Sequence, residues 1–345
     1  MTQHNVSPVK AAKMARTFDP DDRSRFENFN IISISYKTIH KHAIRADVIY
    51  TKSLLARASP ESRPLIVRFH GGGWIGADSL FPGFFAPWHL QLAEREGAVI
   101  VSPNYRLFPE ADVRDILDDV EDFWTWLHSD LPSSVERETN GTLKVDLGRI
   151  LVAGDSAGGH LSLSLALSHP EGIRAVTAAY PGIDTKSPAF FEPRTQPVFG
   201  LPTFPKSAWT DHIEQLKAQQ DETGEKVVVS SDPRIDRAPL MWACTQQGLF
   251  EPYLLPEDRS VHILDRIEDG ARFPRGGVFI WHAAQDSVVP VEGTVKLQKL
   301  IEALDPELRF RVHIAEGEHG FDLDASIEDE WMKQGLDDIV ARWLG

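Results

Sequence analysis

The sequence predicts an α/β protein with a mostly parallel central sheet, helices on both faces and a lid, and three observations predict it. From residue 98 onward, short apolar runs alternate with helical patterns. The apolar runs lack polar alternation, as strands buried on both faces require. The chain of 345 residues, with 42% hydrophobic and 25% charged side chains, is long enough for a sizeable core and excludes disordered or collagen-like classes.

Residues 1–30 are polar and read as an N-terminal arm. Residues 31–39 and 42–50 alternate β-branched and polar side chains, and 64–69 is a short apolar run, giving three strands before position 70. The run 98–102 is a buried strand. Val113, Ile116, Leu117, Val120, Phe123, Trp124 and Leu127, spaced by threes and fours, predict an amphipathic helix.

The strand–helix pair recurs at 149–153 with a helix after Ser156, at 174–179, at 277–281 with a helix from Val291, and at 311–314 with a final helix. In that helix Ile327, Trp331, Leu336, Ile339, Val340 and Trp343 are the apolar positions. The roughly 95 residues between 179 and 277 exceed what one crossover helix needs. Residues 187–275 therefore read as an inserted lid rich in Pro and aromatic residues, with helices near 206–220 and 239–247. The body of the fold is then 31–186 with 276–345.

With 36 Lys+Arg against 51 Asp+Glu the net charge is −15, and no basic run is segregated, so nucleic acid and anionic membranes are poor partners. No stretch reads as a signal peptide or a membrane span, so a cytoplasmic location is expected. Cys244 stands alone and reads as a small buried side chain. A homodimer is left open.

The strongest chemical signal is Gly154-Asp155-Ser156-Ala157-Gly158, directly after an apolar strand and opening a helix. Glycines let the chain turn sharply, so the serine hydroxyl stands at the tip of the turn with a helix N-terminus behind it. Upstream, His70-Gly71-Gly72-Gly73-Trp74 follows the strand 64–69. Two N–H groups among Gly71, Gly72 and Gly73, with that of Ala157, can converge on an oxyanion; which two remains open at this level.

A serine nucleophile needs a base, and the base an orienting acid. Asp286, after the strand 277–281, and His319, after 311–314, fall on loops at carboxyl strand ends, on the edge that presents Ser156. His160 reads as packing near the turn, and His282 and His313 as core histidines. Asp322 and Asp324 are expected to be solvated, and Asp155 to support the turn.

His70-Gly71-Gly72-Gly73, Gly154-Asp155-Ser156-Ala157-Gly158-Gly159, Tyr105-Arg106-Leu107-Phe108-Pro109-Glu110 and His319-Gly320-Phe321 together resemble the hormone-sensitive-lipase-like branch of the α/β-hydrolase fold. The resemblance spans about residues 40–345, most of the lid excepted. It implies a carboxylic ester hydrolase acting on small-molecule esters without metal or organic cofactor. Ser156, Asp286 and His319 would be its triad, the glycines after His70 its oxyanion hole, and the arm and insertion its cap. Phe108 departs from the family's usual alanine, and Ser287-Val288 from the Pro-Leu common after the aspartate.

Lactonase, amidase, carbon–oxygen lyase or other acyl-transfer activity, and a non-catalytic receptor of the gibberellin-receptor type, are the alternatives on this scaffold. The intact triad favours the enzyme. The aromatic insert suggests a limited pocket for small to medium esters, with Trp74, Phe81, Tyr180 and Trp209 as candidate walls.

Overall fold

The computed structural model describes residues 19–56 and 61–345. Eight strands form one sheet: β1 (Phe29–Ile39), β2 (His42–Thr51), β3 (Arg63–Phe69), β4 (Val99–Pro103), β5 (Val145–Asp155), β6 (Ala175–Ala179), β7 (Val278–Ala283) and β8 (Phe310–Ala315). Their order is β1-β2-β4-β3-β5-β6-β7-β8. β1 and β2 form an antiparallel hairpin, β2 lies antiparallel to β4, and every later pairing is parallel.

Sequence pattern and position in the sheet match. β1, at the edge, keeps the alternating burial its polar–apolar pattern predicts. β4, β6 and β7 are buried at every residue. In β5, Ile150 and Val152 pack on one face while Leu151 and Ala153 pack on the other. A strand of period two between two helical layers needs apolar side chains at consecutive positions.

One layer contains the helices Val113–Ser129, Ala157–Ser168 and Glu292–Leu304; the other contains Pro87–Glu96 and Glu330–Leu344. The Val113–Ser129 helix buries Val113, Ile116, Val120, Phe123, Trp124 and Leu127. Asp112 and Asp115 close a reciprocal capping box at its start, an arrangement that stabilises a helix by about 1 kcal/mol. The helices Pro87–Glu96 and Leu131–Glu138 had no counterpart in the sequence reading.

The inserted segment between β6 and β7 carries the helices Pro188–Phe191, Ser207–Thr223, Ala238–Gln247, Glu251–Leu254 and Ile263–Glu268. It docks on the loop after β4. Leu107 N–H donates to the Val229 carbonyl at 2.8 Å, and Arg237 Nη2 donates to the Phe108 carbonyl at 2.6 Å. Phe108, at the motif's departure point, packs against Trp74 and Tyr253. Asp21 pairs with Arg234, tying residue 21 to the insert; residues 1–18 of the expected arm lie outside the described residues.

Glu110 is buried and holds two groups of the insert, with Arg237 Nη2 at 2.7 Å and His212 Nε2 at 2.8 Å. Burial would raise its pKa, but His212 and Arg237 together hold it below the ordinary value. Glu110→Gln should therefore lower stability by about 2–3 kcal/mol, because Arg237 is left without its counter-charge. A carboxyl whose pKa is lowered by folding contributes stability above its unfolded value and loses it as pH falls through the folded one. The gap in urea midpoint between wild type and variant should be full at pH 7 and close below pH 4.5, the ordinary value for the group; a gap independent of pH would refute the ion pair as its cause.

Candidate active site

Ser156 occupies the turn between β5 and the helix Ala157–Ser168, with φ 55° and ψ −117°. Such backbone strain costs roughly 1–3 kcal/mol and is held by the surrounding structure. Here the Ser156 N–H donates to the Ala179 carbonyl at 2.9 Å. The glycines answer close approaches: a Cβ on Gly154 would lie 2.1 Å from the Gly158 carbonyl oxygen, and one on Gly158 would lie 2.2 Å from that of Phe69. Ser156 is 8% exposed, and its hydroxyl makes no hydrogen bond among the described residues.

The glycine loop is fixed from beneath by a buried ion pair. Arg68 Nη2 donates to Asp155 Oδ1 at 2.8 Å and to the Phe84 carbonyl at 2.7 Å, with its guanidinium 4.2 Å from the Phe85 ring centre. Asp155 Oδ2 accepts the Gly71 N–H at 2.9 Å. That bond corrects the expectation for Gly71, whose donor is occupied in holding the loop to the serine turn. Gly72 (φ 107°) and Gly73 (φ 63°) follow, and their N–H groups have no acceptor among the described residues. Ala157 is the first residue of its helix, so its N–H lacks an intrahelical acceptor.

His319 Nδ1 lies 2.7 Å from Asp286 Oδ2. Asp286 Oδ1 accepts the N–H groups of Val288 and Val289 at 2.9 and 2.8 Å, and His282 Nε2 lies 3.3 Å from Oδ2. Burial opposes the Asp286 charge, but His319 and His282 hold its pKa well below the usual carboxylate range. Burial likewise opposes the His319 cation, and the Asp286 carboxylate, joined by Glu318 and Asp322, outweighs it, raising the His319 pKa above its ordinary value. Glu318 Oε1 accepts from Ser287 N–H and His319 N–H, locking the two loops together.

Two sequence readings change around this pair. Asp322 is not solvated but buried, accepting from Trp281 Nε1 at 2.8 Å; burial pushes its pKa up to about 6. His313 is not a core residue: it is half-buried on β8 and stacks on Trp331. His282 is buried as expected, bonded to Thr294 and the Val289 carbonyl, but it also contacts the acid, a role that its strand position did not reveal. His160 holds the Gly182 carbonyl at 2.9 Å, and Asp324 is exposed.

A cavity beside Ser156 is lined by Gly73, Trp74, Ala157, Phe190, Arg194, Thr245, Phe250, Val288 and Val289. It is small, with a volume of about 20 Å³. Trp74 is the one expected wall that lines it. Phe81 is buried against Phe84, Trp209 packs on Tyr253, and Tyr180 lies against the His319 ring at 4.3 Å instead of facing the cavity. Phe190, Phe250 and Arg194 were missed; the sequence signal was their place in the insert.

The protein named Probable carboxylesterase M8 of Phoma sp. is 30% identical over 326 residues, spanning 93% of this chain and 98% of that relative. The chain belongs to the α/β-hydrolase esterase family. A family model described as alpha/beta hydrolase fold matches residues 66–236 of this esterase. Probable carboxylesterase clz11 of Cochliobolus lunatus is 42% identical over 113 residues, 32% of this chain and 51% of the relative. Among solved structures, an esterase of Pyrobaculum calidifontis shares the fold with TM-score 0.56 and 21% identity, covering 98% of this chain and 97% of its own.

The esterase thus presents, at the carboxyl edge of its sheet, a strained serine, N–H groups of Gly72 and Gly73 that have no acceptor among the described residues, and an imidazole oriented by a carboxylate. Among the described residues no cluster of three or more His, Cys, Asp or Glu could hold a metal ion, and no helix is long and apolar enough to cross a membrane.

Proposed function

We propose that this esterase is a serine carboxylesterase acting on small carboxylic esters through an acyl-enzyme, with Ser156 as nucleophile, His319 as base and Asp286 as orienting acid. The observation that carries the reading is the 2.7 Å contact between His319 Nδ1 and Asp286 Oδ2, on the sheet edge where Ser156 stands at φ 55°. Asp286 keeps the Nδ1 proton in place, which leaves Nε2 unprotonated to take the Ser156 proton as Oγ attacks the ester carbonyl. The N–H groups of Gly72, Gly73 and Ala157 receive the oxyanion; one such donor is worth about 3–4 kcal/mol in the transition state. Protonated His319 then gives its proton to the leaving alcohol, and water repeats the sequence on the acyl-enzyme.

Residues 187–275 act as the cap, contributing Phe190, Arg194, Thr245 and Phe250 to the cavity. Hydrolysis of p-nitrophenyl acyl esters of increasing chain length tests the reading. A cavity this small favours acetate to butyrate, and rates peaking on dodecanoate would overturn the small-ester assignment.

Phe190 and Phe250 pack edge to face at 5.6 Å and close one side of the cavity. Phe250→Ala should move the optimum toward longer chains, since removing a phenyl ring frees space for several methylenes, each worth about 0.8 kcal/mol when buried. An unchanged ranking of esters in that variant would remove Phe250 from the pocket wall.

A further inference from the structure

Arg194 is the one charged side chain among the cavity's lining residues. Its guanidinium donates through Nη2 to the Val288 carbonyl at 2.6 Å, and its Nε is buried without an acceptor. Among the described residues Arg194 forms no ion pair. The carboxylate in its neighbourhood, Asp286, has both oxygens engaged: Oδ1 by Val288 and Val289, Oδ2 by His319 and His282. Burial lowers the Arg194 pKa, the mark of a cation in an apolar setting.

A guanidinium has five donors in a rigid fork that matches a carboxylate, and one of them is used. A guanidinium that faces an apolar pocket with donors to spare gains from an anion that meets it there. The chain as a whole, at net charge −15, offers an anionic substrate no attraction, so selection for one would rest on a local cation.

We infer that Arg194 is a specificity-determining residue that binds a carboxylate on the substrate, so that the substrates of this site are short esters bearing one free carboxylate. The inference rests on the serine esterase reading for its chemistry and on Arg194 alone for its selectivity. The carboxylate sits in the fork while the ester carbonyl lies at Ser156, an arrangement that fixes the substrate at both ends.

The test compares monoethyl pentanedioate with its neutral near-isostere, the monoamide ethyl ester, by pH-stat at pH 7.5. A second pair carries the carboxylate or carboxamide on the alcohol side, as the butanoyl ester of 3-hydroxypropanoate or of its amide. In at least one pair, wild type should prefer the acid over the amide by tenfold or more in kcat/KM. Arg194→Gln should lower that ratio at least twentyfold, and Arg194→Lys, a point charge without the fork, should restore part of it.

A strut role, in which Arg194 merely supports the Val288 loop, would change both members of a pair alike and leave the ratio where it was; that outcome overturns the inference and spares the esterase mechanism. Calorimetric binding of pentanedioate to Ser156→Ala protein, with and without Arg194→Gln, separates the two failures. Binding weakened at least tenfold by Arg194→Gln, without turnover of any ester by wild type, would keep the carboxylate site and discard the mechanism. Binding indifferent to Arg194 would discard the site.

Discussion

Ser156→Ala is expected to lower kcat for p-nitrophenyl butyrate by about 10⁵–10⁶, with KM little changed and the fold intact. The size follows from the mechanism: without Oγ no acyl-enzyme forms, and what remains is the background from the oxyanion donors and substrate positioning. The fold should survive because every bond Ser156 makes to its surroundings uses the backbone. Its N–H donates to Ala179, and its carbonyl accepts from His160 and Gly182. The strained φ is the same burden for alanine as for serine. Parallel assays and thermal melts check both halves. Retained turnover at a tenth of wild type would sink Ser156 as nucleophile, and a loss of activity accompanied by a fall in Tm of 10 °C would show only that the turn had collapsed.

The sheet was legible because its strands carry their environment in their side chains. Apolar runs such as 150–153 have no polar face and can sit only between two layers, where β5 is found. The order of strands was not legible: β3 follows β2 in the chain, yet β4 lies between them, and residue pattern does not encode which neighbour a buried strand selects. The helix Pro87–Glu96 escaped because its stretch opens with Pro87 and mixes His89, Gln91, Glu94, Arg95 and Glu96 among its apolar residues.

The site divides along the same line. The proposed triad of Ser156, Asp286 and His319 is read from chemistry and chain order, because glycine turns and strand ends declare where a side chain will emerge. Gly71 could not be told from Gly72 and Gly73 until Asp155 was seen to take its N–H. The pocket walls failed for a different reason: an aromatic in the sequence announces burial and says nothing of which cavity it faces. Phe81 and Trp209 are as buried as Trp74 and lie elsewhere. Arg194 had a signal of another kind, a single cation in a stretch holding Phe190, Phe191, Phe199 and Phe204. Tertiary placement alone turns that isolation into a role.

Asp286→Asn is expected to lower kcat by about 10⁴ and to move the acid limb of the remaining activity toward lower pH. Both effects follow from the two oxygens of Asp286. Oδ1 accepts the N–H groups of Val288 and Val289, so an asparagine must keep its carbonyl oxygen there and turn its NH₂ toward His319. An NH₂ facing Nδ1 demands an acceptor, which forces the imidazole proton onto Nε2, where it blocks proton removal from Ser156. The pH shift has its own sign. His319 serves as a base only when neutral, and burial lowers its pKa while Asp286, with smaller help from Glu318 and Asp322, more than offsets that and raises it above 6.5. Wild-type kcat/KM should therefore fall as pH drops through a midpoint above 6.5. With the carboxylate gone only Glu318 and Asp322 still oppose burial, and the midpoint in the variant should lie below that of wild type. A pH–rate profile for each protein, normalised to its own plateau, reads the shift directly. Coincident midpoints would remove Asp286 from its place behind His319, however large the loss in kcat.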